Sequence, residues 1–212
     1  MKTQKFNTSQ LTILGLMAGI LFLMAYTPLG YLNIGPLAVT FNVIPVAICA
    51  IVLGPMGGGI AGGVFGLTSF MQAMGVGGSS VLGSALFQIN PFLTAILCFV
   101  PRILDGVLLG LIYTGVHKKM NTYVSCAVTG FFSAFLNTLF FMSSLVILFG
   151  RTEYMQNMIG GQNVILFCCA MVGVNAISEM VSSTIITAAV GTALAKAHLI
   201  PAVRIVKSGD AA

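Results

Sequence analysis

Residues 39–74 read VTFNVIPVAICAIVLGPMGGGIAGGVFGLTSFMQAM and hold no Asp, Glu, Lys, Arg or His. The apolar character is continuous rather than alternating. That pattern suits helices in lipid and not the strands of a membrane barrel. Gly54 and Pro55 break the run, so it divides into a span over roughly 39–53 and another over roughly 57–74. The first is short for a bilayer crossing, which points to a tilted, partly irregular or protein-surrounded segment. The second opens GGGIAGGVFG, in which the pairs Gly58–Gly62, Gly59–Gly63 and Gly62–Gly66 have small-xxx-small spacing. Lipid tails do not drive helices together, so close contact between helices in a membrane relies on such small faces.

The whole chain has the same character. Of its 212 residues, 58% are hydrophobic and 6% charged, against about a quarter charged in soluble domains. Further apolar runs lie over roughly 11–27, 91–116, 123–149 and 164–195, each close to the ~20 residues a crossing needs. The reading is a single all-α integral membrane domain, 1–212, with six transmembrane helices. The first run has no small-x-small cleavage site and reads as a retained helix rather than a signal peptide.

Basic residues give the direction. With the N-terminus inside, inner segments hold Lys2, Lys5, Lys118, Lys119, Lys196, Arg204 and Lys207, and outer segments only Arg151. The excess of positive charge on one side places both termini in the cytoplasm. The net charge of +5 is thus explained by topology, since no helix face or arm gathers it for nucleic acid. The outer connections PLGYLNIGPLA and GVGGSSVLGSALFQIN are uncharged and rich in Gly, Ser, Asn and Pro. They can serve as lids over a cavity or as plain connectors.

Enzyme chemistry finds no support. There is no HExxH and no GxxxxGK[ST]. Asp105 is the only aspartate at membrane depth, so a proteolytic aspartate pair is missing. His117 and His198 fall near inner ends, away from any serine they would activate. Cys49, Cys98, Cys126, Cys168 and Cys169 all sit in apolar runs with no CxxC spacing, as small buried hydrophobes do. No metal or cofactor is expected.

The informative residues are polar groups within apolar runs. A charge at the bilayer centre costs about 2.5–3.5 kcal/mol even on insertion scales, so such groups face a bundle interior or an aqueous cavity. Arg102 and Asp105, at i and i+3, share a helix face, as do Asn175 and Glu179 at i and i+4. Asn137 lies mid-span in the fifth helix. At ~1.5 Å per residue, Arg102, Asn137 and Glu179 fall near the midplane, with Asn175 one turn closer to the outside. Asn42, Gln72 and Asn90 complete the candidate set, with Gln72 and Asn90 toward the outer side. Arg102 with Asp105 or Glu179 can form an internal salt bridge that only fixes packing. Asn137, Asn175 and Glu179 together favour a ligand cavity. Gly15, Ala18 and Gly19 form a small face on the first helix, suited to an internal contact or to another membrane protein.

The segments TPLGYLNIGPLAVTFNVIPVAICAIVLGPMGGGIAGGVFGLTSF (27–70), FVPRILDGVLLGLIY (99–113) and NAISE (175–179) resemble the substrate-binding S-components of energy-coupling-factor (ECF) vitamin transporters. IPVAICAIVLGPMGG (44–58) is the most specific part, and the likeness extends over nearly the whole chain. The resemblance implies six helices, cytoplasmic termini and an outward-facing vitamin site closed by the first and third loops. It implies partners, namely a membrane coupling subunit and two ATP-binding subunits, and a protein that topples in the bilayer to carry its solute inward. It also implies docking of the coupling subunit on the first helix at Gly15, Ala18 and Gly19, although glycines stand where alanines are usual. Within the family the chain looks most like the pantothenate-type branch. Pantothenate offers Arg102 a carboxylate, and offers Asn137, Asn175 and Glu179 hydroxyls and an amide. Riboflavin, folate, pyridoxine, biotin or a queuosine-type base would use the same scaffold. A self-sufficient proton-coupled carrier relying on Glu179, or a purely structural membrane protein, are the alternatives from other classes. Flux through the isolated chain would mark the carrier, and a lack of any ligand the structural protein.

Overall fold

The structure is a computed structural model, and it describes residues 8–27, 31–33, 38–77, 80–161, 163–197 and 199. The chain runs α1 (Thr8–Tyr26), β1 (Tyr31–Asn33), β2 (Ala38–Thr40), α2 (Val43–Ala73), α3 (Val81–Ile89), α4 (Pro91–His117), α5 (Thr122–Phe149), α6 (Glu153–Ile159) and α7 (Val164–Lys196). Among the described residues, five helices are long and apolar enough to cross a membrane: α1, α2, α4, α5 and the 175–196 part of α7. Lys2, Lys5, Arg204, Lys207 and His198 lie outside the described residues, as do both ends of the chain. The side chains of Cys168 and Cys169 are likewise outside them.

The expected spans 39–53 and 57–74 are parts of one helical element, α2, which is interrupted at Gly54. Gly54 has φ 71° and ψ −164°, a region essentially confined to glycine. Pro55 follows it and cannot donate to the preceding turn. The element doubles back here. A Cβ placed on Gly58 would come within 2.9 Å of the Cβ of Ala50, whereas residues eight apart on a straight helix are about 12 Å apart. The limb 43–53 is buried at every position, so it forms the centre of the bundle. It is only about 16 Å long, and its N-terminal end at Asn42 therefore stops at mid-depth. The first of the two expected spans does not reach back to Val39. Val39 and Thr40, both β-branched and suited to strands, instead belong to β2. This strand pairs antiparallel with β1, Tyr31 opposite Thr40 and Asn33 opposite Ala38.

The second limb of α2 lies antiparallel on α4, backbone against backbone. A side chain at Gly58 would strike the carbonyl of Gly106, one at Gly62 the carbonyl of Arg102, and one at Gly66 the carbonyl of Cys98 at 2.8 Å. Gly58–Gly62 and Gly62–Gly66 are thus the faces in contact. Gly63 is looser, with Ile103 at 3.9 Å. On the other side of the bundle, Ser133 of α5 and Ser183 of α7 share a hydroxyl hydrogen bond of 2.8 Å. Met17, Leu21, Val46, Ala47, Phe65 and Leu109 are among the central core residues.

Two short helices occupy segments that read as connections. α3 begins where Ser80 Oγ accepts from Gly83 N–H at 3.2 Å. α6 begins at the cap Thr152 and ends at Gly160, which is left-handed at φ 58°. Leu86, Met155 and Ile159 from these helices bury themselves against Leu97, Leu145 and Phe149. That covers the end of the bundle where α4 starts and α5 finishes. The β-hairpin lies at the same end, because Gln72 Nε2 donates to the Ala25 carbonyl at 2.6 Å and joins the end of α1 to the end of α2.

Candidate functional site

A common reference level shows which polar residues meet. Ile51, Tyr113 and Cys126 pack in one buried cluster, and Gly191 lies against Cys126 and Ile51. This layer crosses α2, α4, α5 and α7. Measured from it toward the hairpin end at ~1.5 Å per residue, Asn42 lies at about 14 Å, Arg102 and Asn137 at about 16 Å, and Glu179 at about 18 Å. Four helices therefore bring four of the candidate residues to one depth. Asn175, a turn beyond Glu179, is about 24 Å from the layer. All five are buried.

Local contacts fix the neighbours. One turn beyond the Ser133–Ser183 bond, on the same two faces, come Asn137 on α5 and Glu179 on α7. Glu179 is 6% exposed, and its Oε1 accepts from the backbone N–H of Thr40 at 2.6 Å. This bond holds the hairpin down onto α7. Asn42 follows this strand and is fully buried. Neither its Oδ1 nor its Nδ2 has a hydrogen-bond partner among the described residues, and nor does Asn137 Oδ1. Each such group costs about 1–3 kcal/mol in a protein interior. A polar solute that paired with them would recover that cost.

Arg102 is held differently. Pro101 has no N–H, so within α4 it leaves the Leu97 carbonyl without the bond that a residue at i+4 would supply. Arg102 Nη1 donates to that carbonyl at 2.8 Å. The side chain thus bends back toward the start of α4, as helix geometry favours. Its guanidinium carbon sits 4.5 Å from the ring centroid of Phe141 and 5.5 Å from that of Phe65. Asp105 is buried one turn the other way and lies within the field of Arg102. Its Oδ1 has no hydrogen-bond partner among the described residues.

Gln72 and Asn90 fall apart from this set. Gln72 ties α1 to α2 as described, and Asn90 caps α4. Asn90 Oδ1 accepts from the N–H groups of Phe92 and Leu93, both at 3.1 Å. Both lie toward the hairpin end, well beyond the level of Asn137. Gly15 and Gly19 lie on the exposed face of α1, with nothing within 4 Å of where a side chain would start, while Ala18 is half-buried. Sequence reasoning missed the Thr40 amide, the rings of Phe65 and Phe141, and the Ser133–Ser183 bond. The PR pair at 101–102 was the one available signal, since a proline inside a helix frees a carbonyl.

An apolar groove lies elsewhere. About 510 Å³ in volume, it runs between α1, α2 and α7 and is lined by apolar side chains such as Met17, Met24, Ile44 and Val190. A solute bearing hydroxyls and a carboxylate would lose its hydrogen bonds there. The buried polar set is the better candidate on chemical grounds.

Apolar helices enclosing a shared level of buried polar side chains under a short hairpin describe a multi-pass membrane protein with a polar site inside its bundle. Residues 9–191 match the family described as ECF transporter, substrate-specific component, and the chain belongs to that family. It is 34% identical over 178 residues to the pantothenate transporter PanT of Leuconostoc mesenteroides subsp. mesenteroides, covering 81% of each chain. It is 27% identical over 209 residues to the pantothenic acid transporter PanT of Lactococcus lactis subsp. cremoris, covering 92% of this chain and 98% of that one.

Proposed function

We propose that this chain captures pantothenate at the outer face of the cell membrane and delivers it inward as the S-component of an ECF transporter. Two relatives named for pantothenate transport, matching most of the chain, support the choice of vitamin. The observation that carries the site is the convergence of Asn42, Arg102, Asn137 and Glu179 at one depth, with Asn42 and Asn137 holding buried atoms that lack partners among the described residues. Arg102 meets the carboxylate. Asn42, Asn137 and Asn175 meet the hydroxyls and the amide. Glu179 holds the hairpin closed and accepts from a solute hydroxyl.

In this reading β2 with the first limb of α2 makes one crossing and the second limb another, giving six, and both termini face the cytoplasm. The hairpin end faces outward, so the hairpin and α3 roof the site. Energy comes from a membrane coupling subunit and two ATP-binding subunits. The coupling subunit docks on α1, where Gly15 and Gly19 allow close approach of another helix. Gln72 and Asn90 keep the outer rim in shape.

Reconstitution tests this assignment. Liposomes containing this chain, the coupling subunit, both ATPases and internal ATP should accumulate labelled pantothenate, and liposomes with this chain alone should not. Accumulation by the isolated chain would instead identify a self-sufficient carrier.

A further inference from the structure

We infer that Pro101 and Phe141 set the carboxylate selectivity of the site by fixing where the Arg102 guanidinium lies. The inference rests on the pantothenate reading and adds two positioning residues to it. A long arginine side chain can reach many places, and Asp105 is an alternative partner on its own helix face. Three contacts hold the Arg102 side chain toward the start of α4. The Leu97 carbonyl, which Pro101 leaves without a backbone donor, draws Nη1 toward the start of α4 at 2.8 Å. The Phe141 ring of α5 stands 4.5 Å from the guanidinium carbon. The Phe65 ring of α2 stands 5.5 Å away. Ring faces attract a guanidinium electrostatically and by stacking. A guanidinium donates only in its own plane, and the two rings limit where that plane can lie. The in-plane N–H edge is the geometry a carboxylate matches in a bidentate pair. Phe141 lies one turn beyond Asn137 on α5, so the aimed cation lies about one turn to the hairpin side of the carboxamide, near the level of Asn175.

Neither residue touches the carboxylate in this account. Both act through Arg102, so their loss should change discrimination between ligands and not simply overall affinity. Pro101→Ala restores an N–H for Leu97 and releases Nη1 from that carbonyl. Phe141→Leu removes the closer ring while keeping an apolar side chain.

The test compares binding of pantothenate with binding of its alcohol analogue, in which a hydroxymethyl group replaces the carboxylate. Wild type should prefer pantothenate at least tenfold. Phe141→Leu and Pro101→Ala should each cut that preference at least fivefold, chiefly by weakening pantothenate binding, while Phe141→Tyr stays within twofold of wild type. In an Arg102→Gln background, Phe141→Leu should have no further effect on the preference. Pro101→Ala improves the helix, so it supports the comparison even if Phe141→Leu does not fold. Equal weakening of both ligands, or no change in either variant, would overturn the inference. A wild type that binds both ligands equally would also overturn it while leaving the pantothenate reading intact. A folded wild type that binds neither removes that reading itself.

Discussion

Glu179, midway along α7, accepts a 2.6 Å hydrogen bond from the backbone N–H of Thr40, at the end of β2. The bond spans most of the chain and holds the hairpin to the bundle. It requires the first limb of α2 to be short, because only then does the strand come down to the depth of Glu179. Glu179→Gln keeps an acceptor but removes the ionisable carboxyl. Charged and neutral hydrogen bonds differ by about 1 kcal/mol, equivalent to about fivefold. Pantothenate should dissociate about fivefold faster from Glu179→Gln, with little change in association rate, as stopped-flow measurements would show.

Asn42→Leu should separate stability from function. The asparagine buries two polar atoms that lack partners among the described residues, and leucine has the same branched side-chain skeleton without them. The unliganded variant should be as stable as wild type, or more stable by about 1–3 kcal/mol. Its affinity for pantothenate should fall more than tenfold. Thermal unfolding with and without ligand reads both. A destabilised variant that still binds would show that Asn42 serves packing.

The glycine face of α2 gives a paired prediction. A methyl group at Gly62 would meet the Arg102 carbonyl, whereas one at Gly63 has room, with Ile103 at 3.9 Å. Gly62→Ala should destabilise by about 1–3 kcal/mol, as overpacking does, and should weaken binding by shifting α4 at Arg102. Gly63→Ala should stay within about 0.5 kcal/mol of wild type. Unfolding midpoints in detergent decide between them.

Gly19→Leu tests docking on α1. A side chain there meets nothing within 4 Å, so pantothenate affinity should match wild type. Co-purification with the coupling subunit should drop at least tenfold. Full assembly with a leucine at this position would place the contact elsewhere.

The apolar runs made the long helices legible because twenty lipid-facing residues leave a signal that no short range contact can erase. The Gly54–Pro55 break was visible too, but composition does not distinguish two separate spans from one element that doubles back. The strand at Val39–Thr40 was hidden in apolar sequence, since β-branched residues suit a buried strand and a membrane helix alike. α3 and α6 were hidden by small and polar residues that also build loops. Their caps, Ser80 and Thr152, were the only local marks. In the site, Arg102 and Glu179 stood out because charge in lipid is costly. The rings of Phe65 and Phe141 did not, because among many phenylalanines only tertiary contact picks out the two beside a guanidinium.

Calorimetry on the purified wild-type chain in detergent, titrated with pantothenate and then with riboflavin, folate, pyridoxine and biotin, tests the central claim most directly. The account predicts one-to-one, submicromolar binding of pantothenate without ATP or partner subunits, and no heat from the other vitamins. Folded protein that ignores pantothenate, or binds another vitamin more tightly, would contradict it.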